Sequence, residues 1–168
     1  MRSITLLSLL GFILLTGCDE QGLNPNDVSE PGFGGSITFV SKLPPTDSLT
    51  DLRIVAVPYF PVDTLFQPLI IKVIEGIIPF GENIVSKADS GKTITYEMFV
   101  KPQTYYYLAI VQQYGIDVFS QWKVVGVFGY VPSQTQSKII TVPDGKFIRD
   151  VNFTVDFYQL PPQPFKLP

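Results

Sequence analysis

Apolar and polar positions alternate with a period of two through much of this chain. Residues 151–157 place four apolar side chains in strict alternation with three polar ones, and residues 94–100 alternate almost as cleanly. This alternation is typical of a β-strand that has one buried and one exposed face. Further segments rich in Val, Ile, Thr, Tyr and Phe, the residue types that favour strands, lie at 36–41, 52–59, 105–112, 122–130 and 138–142.

Clusters of turn-forming residues separate the predicted strands. Pro, Gly, Asp and Ser concentrate at 43–47, 88–91, 101–103, 131–133 and 143–145. No apolar spacing typical of a capped helix occurs between residues 81 and 157, so no helix is expected there. About seven short strands joined by turns predict an all-β fold, an antiparallel β-sandwich over residues 34–158. A proline-rich C-terminal tail follows over residues 159–168.

Residues 63–81 depart from this rhythm. The segment carries ten large apolar side chains between Leu65 and Phe80, and only Lys72 and Glu75 are charged. The pattern fits either a short helix or a strand. Burial of so many apolar groups contributes too much free energy for all of them to stay in water. We therefore expect most of them to cover an open edge or end of the sandwich.

An exposed apolar contact surface is the alternative interpretation of this segment. The side chains expected to remain partly exposed for a partner are Leu69, Ile70, Ile77 and Ile78.

The first residues have the composition of an export signal. Arg2 gives a positive start, and the apolar run from Ile4 to Leu15 has 12 residues, too few to span a bilayer as a permanent helix. Leu-Thr-Gly-Cys follows at residues 15–18 and resembles the bacterial lipoprotein box. The resemblance implies cleavage before Cys18, a diacylglyceryl group on its sulfur and acylation of the new amino terminus.

The same resemblance implies a signal peptide over residues 1–17 and a mature chain that begins at Cys18. Residues 18–33 offer few side chains to bury and predict a flexible linker, and Gly-Phe-Gly-Gly at 32–35 is interpreted as a hinge. Asp19 resembles an inner-membrane retention signal of some Gram-negative lineages, whereas an acidic cluster there resembles a cell-surface export signal of others. We expect a protein anchored in the cell envelope, with the outer membrane or cell surface favoured and the inner membrane left open.

The strand pattern also resembles the transthyretin-like sandwich of carboxypeptidase regulatory-like domains. The resemblance rests on Gly-Ser-Ile-Thr-Phe at 35–39, the Pro102 turn into the aromatic strand at 105–110, the Val-rich segment at 124–129 and the closing strand at 151–155. Such domains often have a Pro-Gly turn where Gln-Thr follows Pro102 here. The resemblance implies this sandwich fold without a catalytic site, and it transfers no functional residue.

Composition narrows the chemistry that the chain can perform. Of its 168 residues, 12 are Lys or Arg and 15 are Asp or Glu, and the resulting net charge of −3 disfavours binding to nucleic acid. The chain has no His, the commonest general base and metal ligand, and its single Cys forms neither an internal disulfide nor a thiolate cluster. Acidic residues are scattered without a calcium-loop pattern. We expect no enzymatic activity, no metal and no cofactor.

Aromatic side chains are the main binding resource of the sequence, which has one Trp, eight Tyr and 13 Phe. Tyr105, Tyr106 and Tyr107 are consecutive, so a strand must point aromatic rings to both of its faces. Exposed aromatic rings can stack on sugars, and the candidate sugar-stacking residues are Trp122, Tyr105 and Tyr107. The competing interpretation is cross-strand pairing that stabilises the sheet. The triplets that contain Ser48 and Thr64 resemble the acceptors of a bacterial O-glycosylation system.

The sequence thus predicts a lipid-anchored envelope protein that acts as a non-catalytic binding or structural module. Its expected partners are the membrane, through Cys18, and an envelope protein or a glycan. A surface carbohydrate-binding lipoprotein is the alternative, which a platform of exposed aromatic side chains would distinguish. An accessory domain of an envelope hydrolase or transport system is a more remote alternative.

Overall fold

The computed structural model describes residues 29–131 and 137–165. The predicted signal peptide, Cys18 and residues 18–28 of the predicted linker lie outside the described residues. Within the described ranges the chain forms one α-helix, α1 (Phe66–Ile74), and two 3-10 helices at Thr46–Ser48 and Val85–Lys87. The strands in the same ranges are β1 (Gly32–Phe39), β2 (Asp51–Val57), β3 (Thr93–Phe99), β4 (Gln103–Tyr105), β5 (Tyr107–Gln113), β6 (Trp122–Val127), β7 (Ile140–Val142), β8 (Phe147–Ile148) and β9 (Phe153–Val155).

Two sheets face each other, which confirms the predicted all-β sandwich. In the first sheet β1 is antiparallel to β3 and parallel to β8 and β9, with which it also pairs. In the second sheet β5 lies between β2 and β6, and both pairs are antiparallel. β4 and β7 form a separate antiparallel ladder. The parallel pairs differ from the expected wholly antiparallel arrangement because the chain reaches β8 and β9 by a crossover, not by a hairpin from β1.

The inner core lies between the two sheets and is built from alternate residues of each strand. Phe33 and Ile37 of β1 are fully buried there, as are Leu108 and Ile110 of β5. The residues of β5 that point the other way, such as Ala109, belong to a second apolar cluster on the outer face of the second sheet. The second sheet is therefore buried on both faces.

This second cluster explains why β2, β5 and β6 are almost continuous apolar runs. Strands covered on both faces lose the alternation of a half-exposed strand. Helix α1 covers the outer face through Leu69, and the C-terminal segment adds Phe165, whose ring centroid lies 5.0 Å from that of Phe66. We call the apolar cluster between the second sheet and α1 the outer core.

The segment at 63–81 covers the second sheet, as its apolar content predicts. Helix α1 lies over the outer face, and the residues after it run antiparallel along the free edge of β2. The amide of Ala56 donates to the Pro79 carbonyl at 3.2 Å, and the amide of Gly81 donates to the Ile54 carbonyl at 2.8 Å. These bonds occupy backbone groups that an open sheet edge would leave free.

The interpretation of Gly-Phe-Gly-Gly at 32–35 as a hinge is wrong, because these residues form the first half of β1. A Cβ built on Gly32 would lie 2.6 Å from the Met98 carbonyl oxygen, and one built on Gly34 would lie 2.7 Å from that of Tyr96. The glycines are needed for this close approach of backbones, not for flexibility.

The C-terminal segment, predicted as a proline-rich tail, is packed as far as residue 165. Pro161 and Phe165 are buried, and the side-chain amide of Gln163 bonds to both backbone groups of Val124 at 2.8 and 2.9 Å. This side chain occupies the backbone groups of Val124 at the edge of β6 that the end of β9 also borders. No helix in the described part of the chain is long and apolar enough to span a bilayer.

Candidate functional site

Two of the three aromatic residues predicted to stack on a sugar lie in the interior, so this prediction is wrong for Trp122 and Tyr105. Trp122 is 6% exposed and Tyr105 is fully buried. Tyr107 is partly buried against the outer core, and its hydroxyl is shielded from solvent. The sandwich has two cores to fill, and both recruit large aromatic side chains. No sugar-binding platform forms at these positions.

Two of the four predicted contact residues in segment 63–81 are also buried. Leu69 is 8% exposed and Ile78 is 2% exposed, whereas Ile70 is half-buried and Ile77 is 44% exposed. The prediction of partial exposure is therefore wrong for Leu69 and Ile78. At about 100° per residue, Leu69 and Ile71 lie about 200° apart around α1. The helix thus turns Leu69 to the sheet and Ile71, which is 54% exposed, to solvent.

A second exposed apolar group lies on the loop between β5 and β6, residues 114–121. Ile116, Val118 and Phe119 are all exposed, although this loop is well ordered by hydrogen bonds. The carboxylate of Asp117 accepts from the amide of Phe119 at 2.9 Å and from the hydroxyl of Ser120. These two bonds, that from Ser120 above all, lower the pKa of Asp117. The loop is thus braced in a conformation that leaves its apolar side chains in water.

The loop and the outer face of α1 form one surface, which we call the apolar cap. Leu65, Ile71 and Phe119 line a shared open groove of about 380 Å³. The exposed large apolar side chains that this groove brings together are Leu65, Ile71 and Phe119. Singly exposed apolar residues are normal on protein surfaces, but a contiguous group marks an interaction surface.

The cap lies at the end of the sandwich opposite Ser29, where the described chain begins. β9 runs parallel to β1. β9 also lies beside β6 and runs in the opposite direction to it. The Asp156 amide donates to the Val125 carbonyl at 3.3 Å, and the ring of Phe153, earlier in the chain than Asp156, lies 6.1 Å from that of Phe128, later in the chain than Val125. β1 therefore ends beside the start of β6, next to the loop. Its eight residues, at about 3.3 Å each, separate the two ends by about 26 Å.

A polar cluster fixes α1 to the chain that precedes it. The Lys72 ammonium contacts the Asp63 carboxylate at 2.7 Å, and the Tyr59 hydroxyl donates to the same oxygen at 2.9 Å. Lys72 also lies 4.2 Å from the centroid of the Tyr59 ring. The bond from Lys72 lowers the pKa of Asp63, and the bond to Asp63 raises the pKa of Lys72. This cluster holds the helix that carries half of the cap.

The chemistry available to the cap is contact with another apolar surface. No group of three or more Cys, Asp or Glu side chains in the described ranges is arranged to hold a metal ion. The sequence contains a signal for the loop that sequence reasoning missed: three large apolar residues, Ile116, Val118 and Phe119, interrupt a segment between two predicted strands where turn residues are expected.

Comparisons with protein-family models, with curated proteins and with solved structures find no match for this chain.

Proposed function

We propose that this chain is a lipid-anchored, non-catalytic binding module of a bacterial cell envelope, and that its apolar cap docks against the apolar surface of a partner protein. The observation that carries the proposal is a loop braced by Asp117 that nonetheless exposes Phe119 beside Ile71. A braced loop loses little conformational entropy on binding, so its apolar contacts contribute more fully to affinity.

A protein suits the cap better than the membrane that holds the anchor. The described chain begins at Ser29, before β1, and the eight residues of β1 span about 26 Å toward the end that carries the cap. A lipid on Cys18 would tether the domain from the Ser29 end, which is opposite the cap. The interior of an interface is depleted in charged residues, and the cap contributes three exposed large apolar side chains to such an interior.

The anchor is tested by metabolic labelling with an alkyne analogue of palmitate. We expect the full chain to incorporate the label and Cys18→Ala to lose it. The chain has one Cys, so no second thiol can carry the thioether lipid. Undiminished label on Cys18→Ala would contradict lipidation at this residue.

The docking surface is tested in cells that produce the full chain, by photo-crosslinking from Phe119→benzoyl-phenylalanine. We expect one discrete protein adduct, which mass spectrometry of the crosslinked peptide identifies. Thr95→benzoyl-phenylalanine, on the exposed side of β3, is the matched control and should give no adduct. Adding Ile71→Asp to the first variant should remove the adduct, because a carboxylate cannot be desolvated in an apolar contact without a large penalty.

The identity of the adduct distinguishes a partner protein from a lipid and from a second copy of the chain. An adduct with phospholipid or with a second copy of this chain would contradict the proposal of a partner protein, as would equal adducts from positions 95 and 119. The melting temperature of Ile71→Asp must match that of the parent, because Ile71 is 54% exposed and its replacement should leave the outer core intact.

A further inference from the structure

An exposed apolar groove lies at the end of the second sheet opposite the cap. It opens where β2 and β6 end and β5 begins, and its volume is about 640 Å³. Three of the side chains that line it are large, apolar and exposed: Phe60 at 76%, Ile139 at 57% and Tyr106 at 38%. We call this groove with its three exposed side chains the aromatic groove.

The lining of the aromatic groove resembles in composition the parts of proteins that meet a membrane–water interface. No Lys, Arg, Asp or Glu among the described residues lines it. Tyr106 and Tyr130 contribute amphipathic rings, a type enriched at the level of lipid headgroups. Phe60 and Ile139 offer apolar groups of the kind that enter the boundary between headgroups and acyl chains.

The aromatic groove lies closer than the cap to the point where the proposed lipid would tether the domain. Ser29 precedes β1, and its hydroxyl donates to the Gly145 carbonyl at 3.1 Å. Phe33 follows Ser29 by about 13 Å of extended chain. The ring of Phe33 lies 6.4 Å from that of Tyr105, the chain neighbour of Tyr106. The groove is thus on the Ser29 half of the domain.

The length of chain between Cys18 and the domain allows this half to reach the bilayer. Residues 18–28 are 11 residues, and they extend to at most about 40 Å at about 3.6 Å each. This reach exceeds the separation between Ser29 and Phe33, so the side that carries the groove can turn to the membrane while the lipid stays inserted. The tether also makes the contact intramolecular, so a surface with weak affinity suffices.

We propose that the aromatic groove rests on the phospholipid bilayer that holds the Cys18 anchor, with Phe60 and Ile139 entering the interface. This inference depends on the lipid anchor of the proposed function. The contact adds orientation to the anchor, since acyl chains already hold the protein at the membrane. It fixes the domain with the cap, at the opposite end of the second sheet, directed away from the bilayer.

Quenching by brominated phospholipid tests this contact. The full chain, purified with its lipid, is reconstituted at low density into phosphatidylcholine vesicles with and without bromine on the acyl chains. Phe60→Trp places a reporter in the groove, and Phe119→Trp, the same change at an exposed position of the cap, is the matched control. The native Trp122 is buried and bonded to the Val118 carbonyl of the cap loop, so it serves as an unquenched reference. We expect bromine to remove most of the emission that Phe60→Trp adds and none of the emission that Phe119→Trp adds.

A charge in the groove should weaken the contact. Adding Ile139→Asp to Phe60→Trp should restore much of the quenched emission, because a carboxylate resists transfer out of water. Val118→Asp, at a 47% exposed position of the cap loop, is the matched control and should leave the quenching unchanged. The melting temperatures of both double variants must match that of Phe60→Trp, since both added changes replace exposed side chains.

Flotation with the vesicles separates this inference from the anchor. A chain that carries no lipid and does not float would overturn the anchor and this inference together. A floating chain with no quenching from position 60, or with equal quenching from positions 60 and 119, would overturn the groove contact alone.

Crosslinking in cells identifies what occupies the aromatic groove. Phe60→benzoyl-phenylalanine in the full chain should give an adduct with phospholipid. A discrete protein adduct from this position, including one with a second copy of the chain, would assign the groove to a protein and overturn the inference.

Discussion

Tyr105 and Tyr107 are two residues apart, yet they lie in different cores. Tyr105 is fully buried between the sheets, whereas Tyr107 packs against the outer core. Residues i and i+2 of a continuous strand share a face. Here the chain bends at Tyr106 between β4 and β5, and the Tyr106 amide donates to the Val57 carbonyl at 2.9 Å. Because of this bend, odd-numbered residues of β5 such as Tyr107 point to the outer core, whereas Tyr105 of β4 points to the inner core.

The unpartnered hydroxyl of Tyr107 has a consequence for stability. We expect Tyr107→Phe to raise the free energy of unfolding by about 1 kcal/mol, because it removes a buried polar group without breaking a bond. Tyr96→Phe is the matched control and should lower it by about 1 kcal/mol, since its hydroxyl is bonded to Val151. Urea unfolding measures both. A loss for Tyr107→Phe equal to that for Tyr96→Phe would show that Tyr107 has a partner.

The two faces of α1 should respond differently to truncation. Leu69→Ala should lower the free energy of unfolding by about 2–5 kcal/mol, because Leu69 is buried in the outer core and its loss enlarges a cavity. Ile71→Ala should change it by no more than about 0.5 kcal/mol, as is usual for an exposed position. Thermal and urea unfolding of both variants check this. Equal losses would mean that Ile71 is also part of the core.

The ion pair between Asp63 and Lys72 should add a pH dependence to stability. The pKa of Asp63 is lowered in the folded state, so its contribution is present above the ordinary pKa of a carboxyl and is lost as pH falls through the lowered value. The pKa of Lys72 is raised in the folded state. Its contribution to folding stability is therefore complete below the ordinary pKa of an ammonium group and is lost as pH rises through the raised value.

We therefore expect Asp63→Asn to melt below the parent at neutral pH and to converge with it in strong acid. Melting curves between pH 7 and pH 2 measure this difference. Lys72→Met should show the same convergence, and the double variant should add little to either single change. Because both side chains are partly exposed, salt should reduce the difference. A difference that persists in acid would exclude the ion pair as its cause.

Glycine at 126 allows β6 and β9 to approach closely. A Cβ there would lie 2.8 Å from the Thr154 carbonyl oxygen, closer than backbone atoms tolerate. Gly126→Ala should lower the free energy of unfolding by about 1–3 kcal/mol. Gly81→Ala is the matched control, since its Cβ would lie 3.4 Å from the Ile54 carbonyl oxygen, an ordinary contact, and it should be close to neutral. Urea unfolding that shows equal effects would contradict this account of Gly126.

Local sequence predicted seven of the nine strands in the described residues with approximate limits, but it did not predict β4 or β8. Alternation at 151–157 and 94–100 identified β9 and β3, because a half-exposed strand needs that pattern whatever its partner. The excess of apolar residues at 63–81 showed that this segment covers the sandwich, since so much apolar surface is not left in water. Lipidation at Cys18 and the transthyretin-like resemblance stay predictions.

Only the tertiary structure decided which side of each element is buried and against what. Leu69 and Ile71 are alike in sequence and opposite in exposure, because their roles depend on how α1 is rotated over a sheet formed by distant residues. Tyr105 and Trp122 are buried because the protein has two apolar cores. The sequence does not reveal the second core, because strands covered on both faces are continuous apolar runs without alternation. Close approaches such as that at Gly126 depend on pairings between residues far apart in the chain. Local patterns specify amphipathicity, whereas packing partners are set by non-local contacts.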